Sequence, residues 1–281
     1  MAIRTVGVVG LGKMGGPLAK HVLAKGYAVV GYDVDTAAVA SAKAAGVEIA
    51  SDCADLASRV DLAIVGVGFD SEVETVVFGD DGLLAGAARK DGDGLIVAIA
   101  STAAPQTVKD MAARAKVDAK DSSVTFLDIP MCRGEQAAVD GRLLVMGGGD
   151  RETFDACRPV FEAFSDSIHW LGPLGAGEVG KMVNNLILWS CISANLEAMK
   201  LAGALGVEGE PLRRALLDSS AANWALETQI HKAPMPWAEK DMTIVLKEAD
   251  AARLSLPLCG SVREVIKGIK IELGQGMPRE R

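Results

Sequence analysis

Residues 6–23 read VGVVGLGKMGGPLAKHVL, and residues 29–33 read VVGYD. In the first stretch an apolar run passes straight into Gly10-Leu11-Gly12-Lys13-Met14-Gly15, a G-x-G-x-x-G turn, and then into an amphipathic segment. Each glycine answers a physical demand: Gly10 permits the tight turn, Gly12 lets a pyrophosphate approach the backbone, and Gly15 lets the helix pack closely on the strand. The first-turn N–H groups and the positive helix end then face the phosphates. Asp33 follows at the end of the second strand, where its carboxylate can accept from ribose hydroxyls and would repel a 2′-phosphate by roughly 1–4 kcal/mol. No Arg or Lys follows it in Asp33-Val34-Asp35-Thr36, so the expected cofactor is NAD. The plain alternative is a tight turn without a ligand and a solvated aspartate.

With 281 residues, 49% of them hydrophobic, the chain can bury one large core or two smaller ones, and two domains are expected. A net charge of −8 leaves no basic footprint for nucleic acid, so an anionic substrate has to be met by a local cation. Cys53, Cys132, Cys157, Cys191 and Cys259 are widely spaced without a C-x-x-C pair, which reads as reduced thiols of a cytoplasmic protein. The N-terminus enters a strand directly, without an export leader. Asn184, Asn185 and Glu197 interrupt the apolar stretch 182–205, which therefore reads as a buried core helix, with no membrane association.

Residues 1–172 alternate β-rich runs (TVGVV, AVVGYD, DLAIVGV, GLIVAIA, VTFLDIP, RLLVMGG, IHWLG) with helical patterns. This alternation predicts an α/β fold, a parallel doubly wound Rossmann sheet. Over 173–281 the strand signal disappears and helical runs take over at about 177–205, 209–218, 222–231, 239–254 and 258–272. An all-helical domain is expected there, joined through the 177–205 helix, with the site in a cleft between the domains. The apolar helices 177–205 and 258–272 exceed what one small helical domain buries, so a homodimer or homotetramer is expected.

Gly177, Lys181 and Asn185 stand at i, i+4 and i+8 in GPLGAGEVGKMVNNLILW and stack on one helix face. Gly177 reads as an open patch for a ligand, Lys181 as a cation or proton carrier, and Asn185 as a donor and acceptor one turn on. Val179, Met182, Val183, Leu186, Ile187 and Leu188 fill the other positions, as if protein surrounded the helix. A lysine in such a place needs a partner or a function. Glu178 reads as a solvated first-turn acid favoured by the helix dipole. His21, His169 and His231 have no second ligand at i+3 or i+4, so they read as structural and no metal is expected.

Five segments in order make the chain resemble the β-hydroxyacid dehydrogenase family, which includes the 3-hydroxyisobutyrate dehydrogenases. They are the N-terminal turn, IASTAAPQT at 99–107, DIPMCRG at 128–134, GAGEVGKMVNN at 175–185 and EKDMTIVLKEAD at 239–250. The resemblance covers nearly the whole chain. It implies oxidation of an alcohol β to a carboxylate with NAD(P), or the reverse, with Lys181 as acid/base and Asn185 orienting the substrate. It also implies Ser101 and Thr102 near the nicotinamide side, Lys240 reaching the cleft from the helical domain, and an oligomer. For oxidation Lys181 must be at least partly neutral.

The substrate loop departs from the family's usual Asp-Ala-Pro-Val-Ser-Gly-Gly. Met131, Cys132, Arg133 and Gly134 stand there, so a hydroxyl has become a thiol and a glycine an arginine. Cys132 weakens the usual carboxylate contact, while Arg133 adds a charged fork suited to carboxylate, sulfonate or phosphonate. A small hydroxyacid or hydroxysulfonate is the expected substrate, the latter because a sulfolactaldehyde reductase branch of the family carries arginine at the matching point. The alternative is Arg133 paired with Glu135 or another surface acid. Trp224, beside Asn223, reads as a pocket wall or as core. Rival functions are an imine reductase of the same fold and a non-catalytic dinucleotide-dependent binding protein.

Overall fold

The computed structural model describes residues 3–89, 94–118, 124–232 and 234–278. The chain divides into two compact units, the first reaching Lys181 and the second beginning at Met182.

The first unit holds β1 (Thr5–Val9), β2 (Ala28–Tyr32), β3 (Glu48–Ile49), β4 (Leu62–Val65), β5 (Leu95–Ile99), β6 (Val124–Asp128), β7 (Met131–Cys132), β8 (Leu143–Gly149) and β9 (Ser165–Gly172). They form one sheet in the order β3-β2-β1-β4-β5-β6-β8-β7, with β9 beside β8. Alternate residues of the central strands enter two separate cores. Val6, Val8, Leu62, Ile64, Ile96 and Ala98 join one, while Val9, Ala63, Val65, Val97 and Ile99 join the other. A sheet buried on both faces needs apolar residues at every position, which is why these strands read as unbroken hydrophobic runs.

Helices cover both faces: α1 (Gly15–Ala24), α2 (Thr36–Ala44), α3 (Cys53–Arg59), α4 (Asp70–Phe78), α5 (Leu83–Ala87), α6 (Pro105–Asp118), α7 (Gly134–Val139) and α8 (Arg151–Phe161). Asp35, Asp52 and Asp150 cap α2, α3 and α8 by accepting from backbone N–H groups of the first turn. The apolar face of α8 buries Phe154, Cys157, Val160 and Phe161, and the Phe154 and Phe161 rings lie 5.5 Å apart.

From β3 to β6 all pairings are parallel, as expected, but β6 and β8 pair antiparallel. A parallel return needs a crossover helix long enough to span the sheet. The chain between β6 and β8 offers only the six residues of α7, and it spends two more on β7, which also pairs antiparallel with β8.

A long helix, α9 (Ala176–Ala204), carries the chain into the second unit, with α10 (Gly209–Leu217), α11 (Trp224–Thr228), α12 (Ala238–Ala251) and α13 (Pro257–Glu272). Trp189, Ile192, Met242, Val245, Val262 and Ile266 form its core. The helical run expected over 222–231 is broken: Gln229 takes a left-handed conformation, so α11 stops at Thr228 and a 3-10 turn, Ile230–Lys232, follows. The expectation that protein surrounds α9 also fails for the single chain, since Val179, Val183 and Ile187, spaced four apart, are exposed.

Candidate active site

The strand order reverses direction at β1, whose neighbours are β2 and β4. The crevice beyond the carboxyl ends of such strands is where open α/β sheets bind ligands. Gly10 lies there at φ +90°, and a side chain on it would strike the Gly66 carbonyl just beyond β4. A Cβ on Gly15 would strike the Gly10 carbonyl, whereas one on Gly12 meets nothing within 4 Å. The Gly12 carbonyl accepts from the Gly16 N–H at 2.9 Å, which starts the helix, and no side chain caps that start and no acid occupies its first turn. Asp33 closes the turn by accepting from the Leu11 N–H at 2.6 Å and from the Asp35 N–H at 2.8 Å. An open glycine on an uncapped helix start, with a carboxylate at the end of β2, fits a dinucleotide. Lys13 meets Glu135 at 3.2 Å as an exposed pair, and Met14 packs against the core.

The start of α9 is built in the opposite sense. Asp128, the last residue of β6, is fully buried, and its two oxygens accept from the Gly175 and Glu178 N–H groups, each at 2.8 Å. Burial pushes the Asp128 carboxyl above the ordinary carboxylate range, and these backbone donors pull it back. This carboxylate is the N-cap of α9, supplied by a strand. Gly177 makes it possible: a Cβ there would lie 2.5 Å from the Met146 carbonyl oxygen and 2.8 Å from an Asp128 oxygen. The expected open patch at Gly177 is therefore corrected, because the missing side chain serves close packing of helix on strand.

One turn further, Lys181 is half-buried, with its Nζ donating to the Met131 carbonyl at 2.7 Å and 3.9 Å from the Cys132 Sγ. The same short segment thus holds the helix through Asp128 and receives the lysine through β7. Glu178 corrects the sequence reading most sharply. It is 1% exposed, and neither carboxyl oxygen has a hydrogen-bond partner of normal geometry. Burial first, then the nearby Asp128 charge, pushes this carboxyl well above its usual range, while the Ala103 amide and Lys181 oppose the shift.

Arg133 adopts φ +83° at the start of α7, a left-handed position that costs a non-glycine residue about 1 kcal/mol. Its guanidinium is held by the Asp166 carboxylate and by the Arg142 carbonyl at 2.9 Å, and Arg142 reaches the same carboxylate at 3.2 Å. The two guanidinium groups hold Asp166 below the ordinary carboxylate range. Arg133 is therefore not the free fork the sequence suggested; a surface acid, Asp166 and not Glu135, already engages it. Gly134 follows, also at positive φ.

Ser101 is buried, with its hydroxyl accepting from the Val67 N–H at 2.9 Å and donating to the Val65 carbonyl at 3.3 Å, so it ties the end of β4 to the segment after β5. Thr102, next to it, is half-buried. Asn185, Trp224 and Lys240 belong to the second unit. Asn185 is buried and accepts from Asn184 at 3.0 Å, while Trp224 is largely exposed at the start of α11. Lys240 lies 5.7 Å from the Trp237 ring in the first turn of α12. Its flanking acids fix that turn: Glu239 pairs with the buried Lys270 at 2.7 Å, and Asp241 accepts from the Trp189 indole at 3.0 Å.

Sequence reasoning missed Asp128 as an anchor and Glu178 as a buried acid. The available signal for Asp128 was a charge ending the run VTFLD, whose last three residues are buried. His21 and His169 bond to Val139 and Ser167, and among the described residues no group of three or more His, Cys, Asp or Glu side chains could hold a metal ion. No described helix is long and apolar enough to cross a membrane.

Residues 5–172 match the family model described as the NAD binding domain of 6-phosphogluconate dehydrogenase. Residues 175–277 match the model described as NAD-binding of NADP-dependent 3-hydroxyisobutyrate dehydrogenase. An NAD-dependent L-serine dehydrogenase of Pseudomonas aeruginosa is 36% identical over 80% of this chain and 73% of its own length. A 3-hydroxyisobutyrate dehydrogenase of the same organism is 30% identical over 92% of this chain and 90% of its own. Among solved structures, a 3-hydroxyisobutyrate dehydrogenase from Salmonella typhimurium superposes with a TM-score of 0.81 at 26% identity, covering 97% of this chain and 95% of the other.

Proposed function

The chain belongs to the β-hydroxyacid dehydrogenase family as an NAD-dependent oxidoreductase acting on CH–OH groups, and from that premise we propose that it interconverts a small anionic β-hydroxyacid and its aldehyde or ketone, with Lys181 as acid/base. The observation that carries this reading is the position of Lys181, whose Nζ bonds the Met131 carbonyl while Asp128 fixes the start of its helix. NAD, when bound at the Gly10–Gly15 turn, supplies the hydride acceptor. Lys181 holds the substrate hydroxyl, accepts its proton in oxidation and returns it in reduction. The Met131 carbonyl steadies the protonated amine between turnovers. Asn185, one turn on along the same helix α9, orients the substrate oxygen, and Ser101 and Thr102 shape the nicotinamide side. Asp33 selects NAD over NADP by charge and by its grip on Leu11.

The substrate's acid group is assigned to the Met131–Gly134 loop. Two guanidinium groups, Arg133 and Arg142, share one carboxylate there, which leaves a positive excess in a chain of net charge −8. The Arg133–Asp166 pair is partly exposed, and a solvated pair is weak enough for an incoming carboxylate or sulfonate to displace. Both L-serine and 3-hydroxyisobutyrate, named for the two relatives, are 3-hydroxyacids. The exposed apolar residues Val183, Ile187, Leu201 and Leu205 favour a homodimer or homotetramer, and the reduced thiols a cytoplasmic setting.

A panel of 3-hydroxyacids, hydroxysulfonates and neutral alcohols of equal length, followed by NADH formation, tests the reading. Turnover of an anionic member is expected, with Arg133→Ala raising its KM about 10–100-fold and leaving neutral analogues nearly unchanged. Equal losses for charged and neutral alcohols would assign Arg133 to loop structure alone.

A further inference from the structure

Among the described residues, the buried side-chain atoms without a hydrogen-bond partner are the two carboxyl oxygens of Glu178 and the Nε of Arg263. A buried acid left in this way is costly, so its presence calls for a reason. Glu178 stands three residues before Lys181 on α9, a spacing that brings the two side chains onto neighbouring positions of one helix face. Its own N–H is spent on Asp128, so the chain fixes where the carboxyl sits.

The charged and titratable groups around it come from four elements. Asp128 closes it in from β6, and Asp70 acts on it from α4 while gripping the segment after β5 through the Ala104 N–H and the Thr107 hydroxyl. Lys181 lies on α9 itself, and the Lys109 side chain of α6 reaches Gly175 beside the Asp128 cap. Complete burial and two acids therefore press a proton onto Glu178, against the Ala103 amide and Lys181, which favour the anion.

We propose that Glu178 is a positioning residue for Lys181, and that its protonated or anionic form sets the pH at which Lys181 changes from acid to base. This rests on the reading of Lys181 as the acid/base. With Glu178 neutral, the Met131 carbonyl and the Cys132 sulfur are what hold the ammonium, and Lys181 releases its proton readily to become the base for oxidation. With Glu178 ionised, the anion one turn away holds the ammonium in place, which suits reduction. The proton moves onto or off two side chains only, and no further reactant is required.

The pH profile of kcat/KM for oxidation separates the possibilities, measured on the full-length protein with NAD and the best hydroxyacid of the panel. In Glu178→Gln the anion cannot form, so the rising limb is expected to move to lower pH by about 0.5–1 unit, with the falling limb for reduction moving the same way. Glu178→Asp keeps an acid and is expected to fall between the two. A purely structural role would lower the height of the profile and leave its limbs in place, which would overturn the proposal. Infrared spectra of the cofactor-free protein give a second readout. A protonated carboxylic acid band at neutral pH, missing in Glu178→Gln, is expected, and its absence from the unmodified protein would also overturn the idea. Lys181→Ala distinguishes the underlying reading: a limb that survives in that variant removes Lys181 as the base and this inference with it. A limb lost in Lys181→Ala but unmoved in Glu178→Gln leaves Lys181 in its role and refutes only the proposal for Glu178.

Discussion

Helices α1 and α9 begin at opposite ends of the unit's sequence, and they use the same positive helix end in opposite ways. At α1 the first turn has no side-chain cap and no acid, and Gly12 faces open space. At α9 the anion is internal, since Asp128 occupies the first-turn N–H groups and Gly177 lets it come close. An open helix start waits for a phosphate, whereas a filled one becomes a fixed platform, here for Lys181. On the function proposed above, binding and chemistry are divided between two copies of one physical device.

Four substitutions test that division, the largest effect first. Lys181→Ala is expected to lower kcat about 10²–10⁴-fold with NAD affinity nearly unchanged, because the platform loses its proton carrier while the open start is untouched. Stopped-flow turnover alongside fluorescence titration of NADH checks both halves. Gly12→Asp converts α1 into the α9 arrangement by giving it an anion of its own. The fold should survive, since the new Cβ meets nothing within 4 Å, while dinucleotide affinity should fall about 10²-fold or more by calorimetric titration.

Asp33→Ser leaves the helix start open and removes the charge that repels a 2′-phosphate, so the NAD to NADP ratio of kcat/KM should shrink about 10–100-fold. A ratio that stays put would detach Asp33 from cofactor choice. Asp128→Asn empties the platform's anion: one amide oxygen can still accept, but an NH₂ then faces a backbone N–H. A stability loss of about 1–3 kcal/mol by urea titration is expected, with a drop in kcat of roughly tenfold as Lys181 loses its register.

A pH effect is the smallest and sharpens the contrast further. The Glu178 carboxyl is held above its ordinary range, so between that range and its native value the unfolded chain has released the proton and the native chain has not. Stability contributed at this site therefore falls as pH rises through the window. Glutamine cannot titrate, so the Tm of Glu178→Gln relative to the unmodified protein should rise from about pH 5 to about pH 8.

The open start was legible because most of what builds it is local. Strand, turn, helix and Asp33 lie within a few dozen residues, and each glycine has a reason visible in the string itself. The filled start was not. Nothing near Glu178 in sequence tells that β6 and the segment after β5 close over it, so the helix-dipole argument placed it in solvent. Gly177 was misread for the same cause, because the atoms that forbid its side chain belong to Met146 and Asp128. Arg133 was recognised as a cation, but its partner Asp166 comes from β9, 33 residues on. Among the strands, β3 and β7 escaped detection because two residues carry no alternation.

The cap on α9 also has a consequence for how the chain acquires its site in time. The two hydrogen bonds of Asp128 join residues 47 and 50 positions apart, so they cannot form until β6 has docked in the sheet. Contacts of such separation are reached late, after the entropy of the intervening loop has been lost. The bond that closes the Gly10 turn, from the Leu11 N–H to Asp33, spans only 22 residues. A nascent chain would close its nucleotide turn before it fixes its lysine, and amide exchange during refolding would see the Gly175 and Glu178 N–H groups protected only after that of Leu11.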